Sequence, residues 1–239
     1  MKYLDLTLPT PEENLALDEA LLDLCEDGHE AEMLRFWEPK DYFVVVGYSN
    51  RIETEVHLPA CRENKIPVLR RPSGGGTVLQ GPGCLNYALI LKIPDSGPLA
   101  HLTKTNDFIL DQHRMALEPV LKKKLTVQGT SDLTMEALKF SGNAQRRKKN
   151  SLLFHGTFLL NLDFSYVEKF LPLPSRKPAY RAERAHREFL TNLNIEADKI
   201  KNALKKIWGA EEKLAEPPLE QMKDLVRTHY SNDLWNFKF

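Results

Sequence analysis

VLRRPSGGGTVLQGPGCLNYALILKI, residues 68–93, carries the pattern that decides the fold. Val68–Arg70 and Leu85–Ile93 read as strands on either side of a glycine loop, with no helical stretch between them. The same habit recurs in both directions. Upstream, residues 1–7, Met33–Trp37 and Tyr42–Val46 read as strands; downstream, Lys124–Gln128, Ala137–Ser141 and Leu152–Leu162 do. In the last of these Phe154, Gly156, Phe158 and Leu160 alternate against His155 and Thr157, so the two polar groups share one face. Helices flank the strands. Thr10-Pro11-Glu12-Glu13 combines an N-cap, a proline at the first helical position and a capping-box glutamate. Leu17, Ala20, Leu21 and Leu24 follow at helical spacing, which predicts a helix over 11–26. Further helices are expected at 59–64, 103–121, 196–208 and 217–230; in the last, Leu219, Met222, Val226 and Tyr230 form one stripe, read as core packing. Strands in adjacent runs, rather than strict β-α-β alternation, predict an α+β fold: a mixed, largely antiparallel sheet flanked by helices.

With 239 residues, 42% hydrophobic and 28% charged, the chain is long enough for one generous globular domain and is not disordered. Lys+Arg and Asp+Glu are both 33, so a global polyanion binder is excluded and nucleic acid is not an expected partner. No apolar run approaches the ~18 residues that span a membrane. The N-terminus has neither a signal-peptide core nor an Arg-rich transit pattern, so the expected address is the cytoplasm. Cys25, Cys61 and Cys84 are widely spaced and make neither a disulfide scaffold nor a zinc motif.

Four segments carry chemistry. In Arg70-Arg71-Pro72-Ser73-Gly74-Gly75-Gly76-Thr77-Val78-Leu79, three glycines let backbone N–H groups converge on an anion, and two arginines supply planar donor forks for phosphate or carboxylate. A flexible surface turn is the plainer reading of the glycines alone, and neither a Walker loop nor a GxGxxG fingerprint is present. In Lys139-Phe140-Ser141-Gly142-Asn143-Ala144-Gln145-Arg146 a lysine sits on a strand beside a Ser-Gly turn: an edge-strand lysine, or a point charge against a carboxylate or phosphate. His155-Gly156-Thr157 places a histidine in an apolar strand, more often structural than catalytic, next to a glycine that admits a ligand or another backbone. The basic run Arg146-Arg147-Lys148-Lys149 reads as a solvated loop or as a dock for an acidic protein surface.

Together these segments resemble the lipoate–protein ligase A family, within the biotin/lipoate ligase and octanoyltransferase superfamily. The resemblance runs almost end to end. Asn14-Leu15-Ala16-Leu17-Asp18-Glu19 resembles the family's first-helix signature, and Val44-Val45-Val46-Gly47-Tyr48-Ser49-Asn50 is similar to the strand and turn lining its acyl tunnel. RRPSGGGTV at 70–78 matches the lipoate/adenylate loop, Ser131-Asp132-Leu133 stands in place of Asn-Asp-Leu, KFSGNAQR at 139–146 matches the strand of the essential lysine, and His155-Gly156-Thr157 matches the HGT element. Gln80-Gly81-Pro82-Gly83-Cys84 departs from the ligases' His-Asp-x-Gly-Asn and is more like the octanoyltransferase element. Family members with the Trp235-Asn236-Phe237 ending usually continue into an accessory domain. Here two residues follow, so 1–239 is expected to be a single catalytic domain, with a separate accessory subunit as a candidate partner.

The resemblance implies a class II aminoacyl-tRNA synthetase/biotin ligase-like domain that makes lipoyl-AMP from lipoate and ATP, with Mg²⁺, and passes lipoyl to a lysine. The implied acceptors are lipoyl-domain proteins: the acyltransferase subunits of 2-oxoacid dehydrogenases and the glycine cleavage H protein. Lys139 is the implied catalytic residue, offsetting charge in both transition states. Arg71 and the amides of Gly75, Gly76 and Thr77 are implied to hold the phosphate, with Val78 and Leu79 flanking nucleotide and acyl chain. Arg70, Ser73, Ala144, His155 and Gly156 complete the implied adenylate site, and Asp132 is the candidate metal ligand or organiser. The alternative on the same fold is an octanoyl/lipoyl transferase with a carrier-bound donor and a cysteine thioester; the cysteines of such relatives follow the lysine strand, where this chain has none after Lys139. Cys84 is read as a packing residue rather than the nucleophile. A biotin ligase lacks support because its GRGRxxR-type loop is replaced by RRPSGGG. A non-catalytic binding module is distinguished by a test for adenylate formation.

Overall fold

The computed structural model describes residues 1–29 and 32–239. The chain runs β1 (Lys2–Asp5), α1 (Pro11–Glu26), β2 (Met33–Trp37), β3 (Phe43–Val46), α2 (Ile52–Glu55), α3 (Leu58–Glu63) and β4 (Val68–Arg70). After the glycine loop come β5 (Val78–Gln80), β6 (Cys84–Lys92), α4 (Leu102–Leu121), β7 (Thr126–Gln128), β8 (Asp132–Met135), β9 (Leu138–Arg147) and β10 (Ser151–Leu159). The last part holds α5 (Phe164–Phe170), α6 (His186–Phe189), α7 (Ala197–Ile207), β11 (Glu212–Lys213), α8 (Leu219–Leu225) and α9 (Asp233–Asn236).

Eight strands form one sheet in the order β11-β1-β2-β6-β10-β9-β8-β7. Only the β11–β1 and β1–β2 pairs are parallel; every other pair is antiparallel. A smaller sheet, β4-β3-β5, stands against it. The fold is therefore the mixed, largely antiparallel α+β architecture that the sequence predicts. No helix of the described residues is long and apolar enough to cross a membrane.

Strand alternation puts a core on each face of the large sheet. Met33, Trp37, Ala88, Ile90 and Leu153 point to α1, whose Leu17 and Leu21 are fully buried. Leu34, Phe36, Leu89, Phe154 and Phe158 point the other way, to Ile109 and Leu117 of α4 and Leu204 of α7. Burying each such leucine or phenylalanine is worth about 1.5–3 kcal/mol. The start of α1 follows the sequence signal closely: Thr10 Oγ1 accepts from Glu13 N–H, and the Glu13 carboxylate accepts from Thr10 N–H.

Four local readings are corrected. β5 and β8 are strands of three and four residues, too short to show a period, and they are identified only by their partners. There is no turn at Ser141-Gly142. β9 continues as a strand, because Gly142 pairs with Thr157 on one side and Asp132 on the other, so neighbours override weak strand propensity. The helix expected over 217–230 is α8 followed by a π-type turn, Val226–Tyr230. Its stripe is only partly core: Met222 and Tyr230 are buried, but Leu219 is 38% exposed.

Candidate active site

A cavity of about 490 Å³ lies between the two sheets. Its floor is the large sheet, one wall is the glycine loop with β5, and its roof is the segment 172–190. Of the residues expected at the site, all but Arg70 and Ser73 line it.

The two arginines preceding the loop do not act as free phosphate forks. Arg70 is fully buried, and its Nη1 donates to the carbonyls of Gly47, Tyr48 and Asn50 at 2.9–3.0 Å. Its own backbone is clasped by the distant C-terminal segment: Arg70 N–H donates to Asn236 Oδ1 at 3.0 Å and Trp235 Nε1 donates to Arg70 O at 2.9 Å. Arg71 does face the cavity, but its Nη2 donates to Gly74 O and Gly76 O, both at 2.7 Å, and its Nε donates to Ser73 Oγ. Burial pushes the Arg71 guanidinium down to about 10, so it remains a cation at neutral pH and staples the loop from beneath. Asn50 Nδ2 adds a second staple to Gly75 O at 3.1 Å. Gly75 has φ +91°, the region that favours glycine, and a Cβ on Gly47 would stand 2.2 Å from Gly75 O. The loop amides are thus held in place by donors to its carbonyls.

Ser73 Oγ lies 2.6 Å from His155 Nε2. Burial, then the charge of Arg71, push the imidazole down to about 3. With Ser73 buried outside the cavity lining and burial keeping His155 neutral, the pair is a structural link between loop and sheet rather than a nucleophile with its base.

Lys139 occupies the floor. Its Nζ is 2.8 Å from Asp132 Oδ1, and Tyr180 donates to Asp132 Oδ2 at 2.7 Å. A β-bulge sets this up. Thr134 pairs with Lys139 and Leu133 with Ser141, so Phe140 is the extra residue. Phe140 and Ser141 turn to the α4 side, and Lys139 and Gly142, three apart, come to the cavity side. The ammonium then stands over Gly142, 2.7 Å from where a Cβ would be. Asp132 is the carboxylate beside this ammonium: its Oδ1 is ion-paired with Lys139 and its Oδ2 accepts from Tyr180. Among the described residues no group of three or more His, Cys, Asp or Glu side chains converges as a metal cage. An Mg²⁺ ion arriving with a nucleotide would meet one carboxylate here, Asp132, its remaining ligands normally being phosphate and water.

His155 and Thr157 do share the cavity face. Gly156 is needed for a different reason from the expected one: a Cβ there would strike Asn143 Oδ1, so the glycine admits the Asn143 carboxamide rather than a ligand. At the opposite end the cavity is lined by Leu15, Trp37 and Val45, closed by Asp18, which is ion-paired at 2.5 Å to the buried Arg35.

The roof was not legible beforehand. Arg176, Lys177, Arg181 and His186 line the cavity from it. Arg181 is 4% exposed, lies 4.6 Å over the Phe189 ring and has Nη2 without a partner. The roof joins the floor at Lys139, whose carbonyl accepts from Thr191 N–H at 2.9 Å. Three prolines in a stretch without periodicity gave no element to place; the density of arginine and lysine was the available signal.

The basic run is corrected as well. Arg147 donates to Leu99 O at 2.8 Å and Lys148, though exposed like Arg146 and Lys149, is paired with Asp23 at 2.5 Å. It lies at the far end of β9 from Lys139 and is not one free patch. The cysteines are all buried, and none lines the cavity. Burial pushes the thiol of Cys84 up to about 12 and that of Cys61 to about 11.

Residues 10–207 match the family described as lipoyl protein ligase A/B catalytic domain. The chain is 27% identical to the octanoyltransferase LipM of Lysinibacillus sphaericus, covering 96% of this chain and 95% of the relative. It is 28% identical to a probable lipoate-protein ligase A of Mycoplasma pneumoniae, over 99% of this chain and 72% of the relative. Among solved structures it is similar to a lipoate-protein ligase A bound with ATP, with a TM-score of 0.83, 24% identity and 99% of both chains covered, a likeness of fold.

Proposed function

The chain belongs to the lipoyl protein ligase A/B catalytic family, and from that premise we propose that it is a lipoate–protein ligase working through lipoyl-AMP. The observation that carries the choice over carrier-dependent transfer is the absence of a thiol from the cavity lining. All three cysteines are buried elsewhere, and a thiol held near 12 has no thiolate to offer at neutral pH. A thioester route needs one; an adenylate is already activated and does not. The relatives' names favour neither route, since both occur at nearly the same identity.

In this reading the lipoate carboxylate attacks the α-phosphorus of ATP, pyrophosphate leaves, and a lysine of a lipoyl domain then attacks the mixed anhydride to give an amide and AMP. Lys139 neutralises charge on the acyl-phosphate oxygens in both steps, held in place by Asp132. The amides of Gly75, Gly76 and Thr77 bind phosphate; Arg71 keeps them converged. The acyl chain extends toward Leu15 and Trp37. Mg²⁺, when bound with ATP, supplies charge neutralisation on the phosphates, with Asp132 as its protein contact. The roof cations add to the positive field around the leaving group.

The test is acyl transfer to a lipoyl domain, read by mass, with three donors: lipoate plus ATP, premade lipoyl-adenylate and octanoyl-carrier protein. Ligation predicts product from lipoyl-adenylate and none from the carrier. Product from the carrier alone overturns the proposal.

A further inference from the structure

Asn86 and Thr157 on the cavity floor, and Gln80 on the β5 wall above them, have no part in the scheme above. Gln80 Nε2 donates to Thr157 Oγ1 at 2.6 Å, and the Thr157 hydroxyl donates to Asn86 Oδ1 at 2.5 Å. All three line the cavity, and Gln80 and Asn86 are 6% and 4% exposed. This relay leaves Gln80 Oε1 and Asn86 Nδ2 buried without a hydrogen bond. Turning both carboxamides over does not change the sum. A hydroxyl between two amides uses one amide donor and one amide acceptor, so one of each stays free in either direction. Each unpaired buried group has lost its water and gained no bond in return. A ligand that brings one acceptor and one donor makes good that loss.

The position of the relay says which part of a ligand it meets. Asp132, Gly142, Thr157, Asn86 and Trp37 are successive partners across five strands, all on the cavity face. The Lys139 ammonium stands over Gly142. With strands about 4.8 Å apart, Thr157 is one strand and Asn86 two strands from the point where Lys139 delivers its charge. Trp37, at the apolar end, is one strand further. The relay therefore flanks the junction between charged head and apolar chain, where an acyl carbonyl bound to Lys139 would lie.

We propose that Asn86 and Gln80 are further catalytic residues of acyl transfer: the free amide N–H of the relay donates to the acyl carbonyl oxygen, and its free amide oxygen accepts from an N–H of the attacking lysine. The inference rests on the acyl-transfer reading above. In that step the lone pair of the neutral lysine amine forms the C–N bond. The acyl C–O bond breaks with its electron pair leaving on the AMP phosphate, and the surplus amine proton passes to solvent. Negative charge develops on the carbonyl oxygen and positive charge on the nitrogen, and one donor and one acceptor answer both. Neither carboxamide takes a proton.

The experiment is single-turnover transfer from premade lipoyl-adenylate to a saturating lipoyl domain, with adenylate affinity measured in parallel by calorimetry. Asn86→Asp, isosteric but without the donor, is expected to slow transfer on the order of 10²-fold, as for loss of one oxyanion donor, with a much smaller change in affinity. Thr157→Val is expected to slow transfer about tenfold by disorienting both amides, and Thr157→Ser to recover most of that loss; this pair decides the matter if Asn86→Asp does not fold. Wild-type transfer by Asn86→Asp, equal rates for Thr157→Val and Thr157→Ser, or rate and affinity falling together overturns the inference. If the wild-type protein ignores lipoyl-adenylate but uses octanoyl-carrier protein, the ligation reading fails by itself, and the same variants, compared with that donor, judge the relay on the same ratios.

Discussion

The glycine loop and the roof face each other across one cavity and are built on opposite plans. The loop, residues 71–77, is fixed by donors to its carbonyls, the buried Arg71 and the half-buried Asn50, with Arg70 holding the turn behind it. The roof, residues 172–190, is fastened by scattered side-chain ties such as Tyr180 to Asp132 and Arg184 to Ala137 O. In the loop one displaced atom disturbs every amide at once. In the roof one lost side chain removes only its own contact. The difference teaches where this protein tolerates change, and it can be broken or sharpened by substitution.

The largest effect is expected in the loop. Gly75→Val requires a β-branched residue at φ +91° and a Cβ 3.0 Å from Arg71 Nη2, so calorimetry should find no adenylate binding, with circular dichroism unchanged. Retained binding would show that the loop is not rigid. On the floor between the two regions, Lys139→Ala should lower turnover by about 10²–10³, the scale for one well-placed transition-state donor. Near-normal turnover removes Lys139 from its role.

Behind the floor, His113 is wholly buried, with neither ring nitrogen hydrogen-bonded, and burial pushes it down to about 3. The unfolded chain binds its proton near 6.5, so the stability from keeping it neutral is complete above that pH and is lost as pH falls toward 3. At pH 5 the share lost through His113 is about 2 kcal/mol, read as the difference between wild type and His113→Leu in the loss of unfolding free energy from pH 7 to pH 5, His155 adding its own share to both. His113→Leu should reduce that dependence by this amount; an unchanged slope assigns the acid sensitivity elsewhere. In the roof, Arg181→Ala should weaken lipoyl-adenylate binding only about tenfold, the scale for a charged hydrogen bond, with Arg181→Lys intermediate. A loss as large as that of Gly75→Val would erase the contrast between the regions. The smallest effect is expected at Cys84. Cys84→Ser should retain ligation, and wild-type protein incubated with octanoyl-carrier protein should show no acyl mass on Cys84; a stable adduct moves the protein to the transferase class.

What could be read from the chain beforehand follows the same division. The loop, α1 and the lysine strand were legible because glycine triplets, a capping box and apolar alternation are local signals. Arg70 was misassigned because adjacency in sequence says nothing about whether a guanidinium faces a cavity or a set of carbonyls. Gly142 was mistaken for a turn because its partners, Thr157 and Asp132, come from other strands. The roof was missed because it has no period, and its cations acquire meaning only once Thr191 pairs with Lys139.

The clasp on Arg70 has a consequence for how the protein is made. The bond from Arg70 to Asn236 spans 166 residues, and the parallel pairing of Lys2 with Glu212 joins the first strand to the last. Such long-range closure slows folding, because the entropy of the intervening chain is surrendered before the contact rewards it. At about 5–20 residues per second of synthesis, the nascent chain displays its glycine loop for roughly ten seconds or more before Asn236 exists to secure it. A settled loop therefore arrives only after the segment around Asn236 has been made, and fragments released earlier carry the signature loop without its anchor.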